Sequence, residues 1–195
     1  MAVWDLSPTI EVTGMEWASI KSGVSFQSPF DGTTESIEFP GERWGCALTL
    51  APVPDFLGGE IEALFGRLAG GTERLRLGHR LRPVPRGTMR GTPTVNAAAA
   101  RGAQSLLLNT DGTLLAGDFF KIGNQVFQAF QSCAPISGVL TVPLVQRVRV
   151  PVAASDAVTW DRPTALFVLP ATSNRASYSA GLLNGMAVDM QEVYS

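Results

Sequence analysis

Apolar residues in the first fifty positions come in short runs broken by turn signals such as "SPFDGTT" (28–34) and "FPGE" (39–42), a pattern of strands rather than helices. Helical spacing stands out in one place, "PDFLGGEIEALFGRLAGG", where Leu57, Ile61, Leu64, Phe65 and Leu68 draw one apolar stripe. The spacing predicts a helix over 55–69. Pro54 and Asp55 supply its start, Gly70 and Gly71 its stop, and Gly58 and Gly59 weaken its first turn. β-prone runs, "CALTLA" and "RLRLG", flank the helix, so its stripe is expected to cross a sheet face. At the head of the first run, Trp44 can bury a large area and Arg43 can form a bidentate pair with a carboxylate.

From Arg82 to Pro93, "RPVPRGTMRGTP" has no period and reads as a linker or an extended arm. Beyond it, short β-prone runs are split at Asp111-Gly112, Gly123-Asn124 and Ser137-Gly138, which read as hairpin turns; Gly123 suits the positive φ of a type II′ turn. About four to six such strands make a small barrel or sandwich. The C-terminal run "GMAVDMQEVYS" sets Met186, Val188 and Met190 against Ala187, Asp189 and Gln191, a strand with one buried face. These readings combine into a mainly β protein with one principal α-helix. A β-sandwich-like domain of residues 1–82 and 153–195 carries the helix, whose sheet uses 44–51, 73–78 and 186–193. A small inserted β-barrel or β-sandwich domain occupies 83–152.

Composition narrows the function classes. Hydrophobic residues make up 45% of the 195-residue chain and charged ones only 16%, against roughly 25% in ordinary soluble domains, so some of the surface is expected to be covered by partners. No apolar run approaches the ~20 residues of a membrane span, and "MAVWDLSPTI" lacks the basic and apolar regions of a signal peptide; the expectation is a soluble protein made in a cytoplasm, without membrane insertion. Cys46 and Cys133 have no cysteine or histidine at metal-ligand spacing and read as two buried free thiols.

Charge is distributed unevenly. Residues 1–66 hold ten acids against Lys21 and Arg43, whereas residues 67–101 hold eight arginines against Glu73 alone, so copies of the chain can attract each other head to side. The arginines also fit a nucleic-acid module, but no Phe, Tyr or Trp is interleaved with them for base stacking. A carbohydrate-binding module would use exposed aromatics of the inserted domain, such as Phe119, Phe127 or Phe130.

Catalytic chemistry finds little to work with. His79 is the sole histidine, set among arginines that favour its neutral form, and Asp118 in "AGDFFKIG" reads as a turn former. HExxH, GxSxG and P-loop signatures do not occur. An enzyme ranks last among the readings, and neither a metal nor a cofactor is expected.

Taken in order, "FQSPFDGTTESIEFPGERWGCALTLAPVP", the amphipathic helix, "LRLGH", "VPRGTMRGTPTV", "LLAGDFFKIGNQVFQAF" and "SGVLTVPLV" resemble the distal tail or baseplate (tail-tip) proteins of long, non-contractile-tailed bacteriophages. The resemblance covers about residues 24–170. Arg43, Trp44, Ala47 and Leu48 match that family's first strong strand, and Gly117, Asp118 and Phe119 the turn into its second domain. After "LRLG" the chain departs from many relatives, placing His79 and Arg80 where an acidic residue and a proline are usual. What the resemblance implies is structural work in the virion: a ring, commonly a hexamer, at the distal end of the tail tube. Its partners would be the tube protein above and the hub, fibre or receptor-binding proteins below, with DNA and the tape-measure protein as lumen passengers. Together with the charge pattern it nominates Arg43, Trp44, Arg74, Arg76, Arg80 and Arg82 as subunit contacts.

Overall fold

The computed structural model describes residues 1–170, 177–179 and 181–193; Tyr194 and Ser195, which end the C-terminal alternating run, lie outside them. In chain order the elements are β1 (Val3–Asp5), β2 (Val12–Gln27), β3 (Thr34–Leu50), β4 (Val53–Pro54), α1 (Asp55–Leu68), β5 (Arg74–Gly78), β6 (Thr94–Val95) and β7 (Ser105–Asn109). They continue with β8 (Phe119–Ile122), β9 (Gln125–Gln128), β10 (Val139–Pro143), β11 (Val158–Thr159), β12 (Thr164–Val168), β13 (Tyr178–Ser179), β14 (Leu182–Leu183) and β15 (Ala187–Val193). The protein is mainly β with one principal helix.

Two compact units divide the chain: Met1–Ala18 with Trp44–Pro83 and Arg162–Ser195, and Ser19–Arg43 with Val84–Asp161. Relative to the expected domains, residues 153–161 and the segment 19–43 fall with the second unit. The reason is packing. Val158 joins the second unit's apolar core and β11 pairs with β8, while Arg147 and Arg149 bond to Glu38 and Glu42 of the 19–43 segment.

The first unit is built on a six-stranded sheet in the order β1-β5-β12-β15-β3-β2. β5, β12, β15 and β3 pair antiparallel in turn, and β1 runs parallel to β5. The three strands expected at 44–51, 73–78 and 186–193 are all in this sheet, with β12 inserted between β5 and β15. In its central row Phe167 faces Leu75 on one side and Glu192 on the other, and all three are fully buried. The Trp17 ring meets Phe167 edge-on, 5.2 Å between centroids.

Helix α1 begins after Pro54 with no side-chain cap and buries Ile61, Phe65 and Leu68 completely, each worth about 1.5–3 kcal/mol of transfer energy. Leu57 and Leu64, on the same stripe, are half-buried. The helix lies against β4 and β14, which with β13 form a small sheet. It stops where Ala69 turns extended and Gly70 and Gly71 take positive φ of 86° and 74°, left-handed backbone that glycine adopts without a Cβ penalty.

Two antiparallel three-stranded sheets, β10-β7-β6 and β11-β8-β9, form the Val84–Asp161 part of the second unit, separate sheets rather than a closed barrel. They share a core that includes Leu106, Leu108, Phe120, Phe127, Leu140 and Val142, with the two phenylalanine rings stacked at 5.7 Å. Gly123-Asn124 and Ser137-Gly138 form two-residue turns, closing β8–β9 and Ile136–Val139. Asp111-Gly112 does not. Here Gly112 lets the chain cross Met89, whose Cα would lie 2.3 Å from a Cβ, and Gly87 likewise passes against the Thr113 carbonyl. That crossing also corrects the linker reading of 82–93: Pro85, Gly87 and Met89 are buried, and Met89 belongs to the core.

Candidate functional site

Strands β2 and β3 are far longer than their neighbours, and their distal parts form an antiparallel ribbon closed at Ser28–Thr33. Side chains alternate between its two faces. The Ser36–Ser25 hydrogen bond (3.3 Å) and the Lys21–Glu38 ion pair (3.3 Å) mark one face as polar. Within the second unit this face is tied down at its base: Arg147 pairs with Glu38, its backbone N–H donates to buried Glu42, and Gln146 donates to Ser19. Buried Arg149 donates to the carbonyls of Glu42 and Val126, linking the ribbon to β9.

The opposite face carries Ile20, Val24, Phe26, Ile37 and Phe39, between 38% and 59% exposed. Five large apolar side chains along one side of a two-stranded ribbon make an apolar surface of the kind that marks interaction sites. At the tip, Asp31 accepts hydrogen bonds from the Thr33 amide and hydroxyl, and Phe30 beside it is 97% exposed. The Ser28 and Thr33 side chains hold the Asp31 carboxyl down at a pKa of about 2, so it is ionised at any physiological pH.

A second feature lies within the first unit. A cleft of about 390 Å³ is lined by apolar residues that include Leu6, Val12, Met15 and Pro163 and by three arginines, Arg76, Arg80 and Arg162. Asp5 is the one carboxylate in the lining, 3.5 Å from Arg76. His79, also at the wall, accepts a hydrogen bond from the Arg82 amide at Nδ1 and stands 5.7 Å from the Trp17 ring. Burial, with the charge of Arg82 second, keeps its pKa below the ordinary value, so the imidazole is neutral near pH 7. Sequence reasoning gave the direction; burial rather than the arginines is its larger cause.

Of the six residues nominated as subunit contacts, Arg76 and Arg80 come together at this cleft, while Arg74 and Arg82 are not part of its lining. Trp44 is only 2% exposed. It packs inside the first unit, 5.8 Å from Trp17, and offers no surface to a partner. The bidentate pair imagined for Arg43 is not found among the described residues; the nearby buried carboxylate, Glu192, instead accepts the Trp44 amide at 2.9 Å. The arginine-rich segment splits by unit, Arg67 to Arg82 in the first and Arg86, Arg90 and Arg101 in the second. Arg86 pairs with Asp118 and donates to Ala116, and Arg90 donates to the carbonyls of Pro85, Gly87 and Met89 while stacking over Trp160.

Asp118 does form a turn, and a buried one. Burial would raise its pKa, but the amides of Leu115, Gly87 and Arg86 and the Arg86 side chain hold it below the ordinary value. Phe119 and Phe127, two of the three aromatics suggested as sugar platforms, are core residues; Phe130 is exposed. Cys46 is buried and its thiol pushed up to about 12 by burial, whereas Cys133 is half-buried rather than buried. Among the described residues no three His, Cys, Asp or Glu side chains gather as a metal site requires. Sequence reasoning missed the ribbon's apolar face, although "SIKSGVSFQ" and "SIEF" alternate with the necessary period of two. Neither a protein-family model nor a curated protein matches this chain.

Proposed function

We propose that this chain is a structural subunit of a phage virion, forming a ring at the distal end of the tail tube and joining the tube to the hub or receptor-binding apparatus of the tail tip. The observation that carries this reading is the ribbon of β2 and β3, whose exposed apolar face is the kind of surface a neighbouring copy covers. A two-stranded ribbon alone is marginal in water, and cover on that face would stabilise it. Heterologous contacts repeated from copy to copy close into a ring when the rotation permits, and obligate interfaces of this type bury upwards of ~2,000 Å². The ordered series of motifs from residue 24 to 170 supplies the tail-tip context, and the low charge content agrees with extensive coverage.

In this reading the work is assembly rather than catalysis, the ring is a hexamer as is common for such proteins, and DNA and the tape-measure protein pass through its lumen. Electron microscopy of the purified chain tests it. Closed rings of uniform diameter with an open centre are the expected result; a field of single particles of monomer size, at concentrations well above those of assembly in a cell, would count against it.

A further inference from the structure

The ribbon tip and the arginine-lined cleft are chemically matched. The tip presents Phe30, almost wholly exposed, beside a carboxylate that its own turn keeps ionised, and residues 28–34 contain no cation. The cleft presents apolar walls beside three guanidinium groups, with Asp5 as the single opposing carboxylate and a neutral His79. Among the described residues Arg80 and Arg162 have no ion-pair partner. Its volume, about 390 Å³, is near the lower end of ligand sites and suits one or two side chains. A bare phosphate would leave the apolar lining of Leu6, Val12 and Met15 unused; an aromatic next to a carboxylate uses both kinds of lining residue.

We propose that this cleft receives the ribbon tip of a second copy, with Phe30 against the apolar wall and Asp31 paired with Arg80 and Arg162. Such a contact joins two different surfaces of one chain, tip to cleft, and therefore propagates from copy to copy instead of stopping at a pair. It rests on the ring reading and gives that ring a polarity and a lock: the apolar face of the ribbon supplies area, and the tip fixes which neighbour follows which.

The test uses the full chain carrying Cys133→Ser, with Cys46 left in place because it is buried. Asp31→Cys and Arg80→Cys, introduced together and oxidised, are expected to give a ladder of disulfide-linked multimers on a non-reducing gel, and neither substitution alone to give one beyond a dimer. In parallel, Asp31→Arg and Arg80→Asp are each expected to weaken association by about 10-fold or more, and the pair together to restore it, since close charge pairs at interfaces couple strongly. Ring-sized mass by light scattering without a ladder overturns tip docking and leaves the ring reading standing. Monomer mass without a ladder overturns both. An intrachain disulfide, or salt-dependent DNA binding that is lost in Arg80→Asp while assembly is unchanged, also overturns the docking.

Discussion

The two halves of one β-ribbon behave oppositely. Near its base, β3 alternates Trp44, Cys46, Leu48 and Leu50 into the interior, all at 2% exposure or less, and β15 answers with Met190 opposite Cys46 and Val188 opposite Leu48. Toward the tip the same two strands keep the alternation of apolar and polar residues, yet Val24, Phe26, Ile37 and Phe39 face outward. The difference lies in the face as well as the neighbours: along β3 the buried residues hold even positions and the exposed apolar ones, Ile37 and Phe39, hold odd positions. At the base β15 and the unit's interior cover the even-numbered side of β3, whereas in the distal half the odd-numbered side is apolar and, among the described residues, stays about half exposed. A pattern written for burial but left exposed is how a subunit that completes itself against another copy would look.

The largest effect expected from this contrast is at the base. Leu48→Ala should cost about 2–5 kcal/mol of folding stability, read from the midpoint of chemical denaturation, because a fully buried leucine leaves a cavity. Next comes the distal half, where the effect changes kind: Phe26→Ser should move stability by less than about 0.5 kcal/mol. The same change should weaken assembly by about 1.5–3 kcal/mol, on the order of 10- to 100-fold in dissociation constant. Loss of stability without loss of assembly in Phe26→Ser would erase the distinction.

His79 offers a smaller effect at the base, through its contact with Trp17. Its folded pKa lies below the ordinary 6.5, so the stability it contributes is present above about pH 6.5 and is lost as pH falls through the folded value, the unfolded chain taking up the proton first. Melting temperature should therefore drop between pH 7.5 and pH 5, and the drop should be shallower in His79→Phe. An equal pH dependence in both proteins would remove His79 from the account of the base.

Thiol labelling gives the smallest perturbation. Cys46, buried and with its thiol pushed up to about 12, should react with iodoacetamide far more slowly than the half-buried Cys133 at pH 8. In Val24→Cys the new thiol should label rapidly in the dissociated chain and slowly in the assembled one. Rapid labelling there under both conditions would mean that nothing covers the distal half.

Local signals were enough for much of this architecture. The 3.6-residue stripe from Leu57 to Leu68 marked α1 to within a residue, and the alternation of Met186, Val188 and Met190 marked β15, because both are fixed by the period of the element itself. The Gly-Asn and Ser-Gly hairpins were legible for the same reason: a two-residue turn carries its own φ requirement. What failed was long-range. Residues 82–93 look like a linker because the partner that orders them, Thr113 and its neighbours across Gly87 and Gly112, is remote in sequence. Arg43 looked like an ion-pair former, yet the carboxylate that matters, Glu192, comes from the other end of the chain and serves the amide of Trp44. Of the cleft, Arg76 and Arg80 were legible through their density of charge; Arg162 was out of reach, because only β12, which pairs with β5 along Thr164–Phe167, brings it there.

The most direct measurement is the solution mass of the natural sequence and of Phe26→Ser/Ile37→Ser, by light scattering over a range of concentration and salt. If copies join through the distal half of the ribbon, the natural chain gives a discrete ring-sized species and the variant, with an unchanged melting temperature, gives the 20.7 kDa monomer. Identical masses for the two proteins, whether both rings or both monomers, would contradict it.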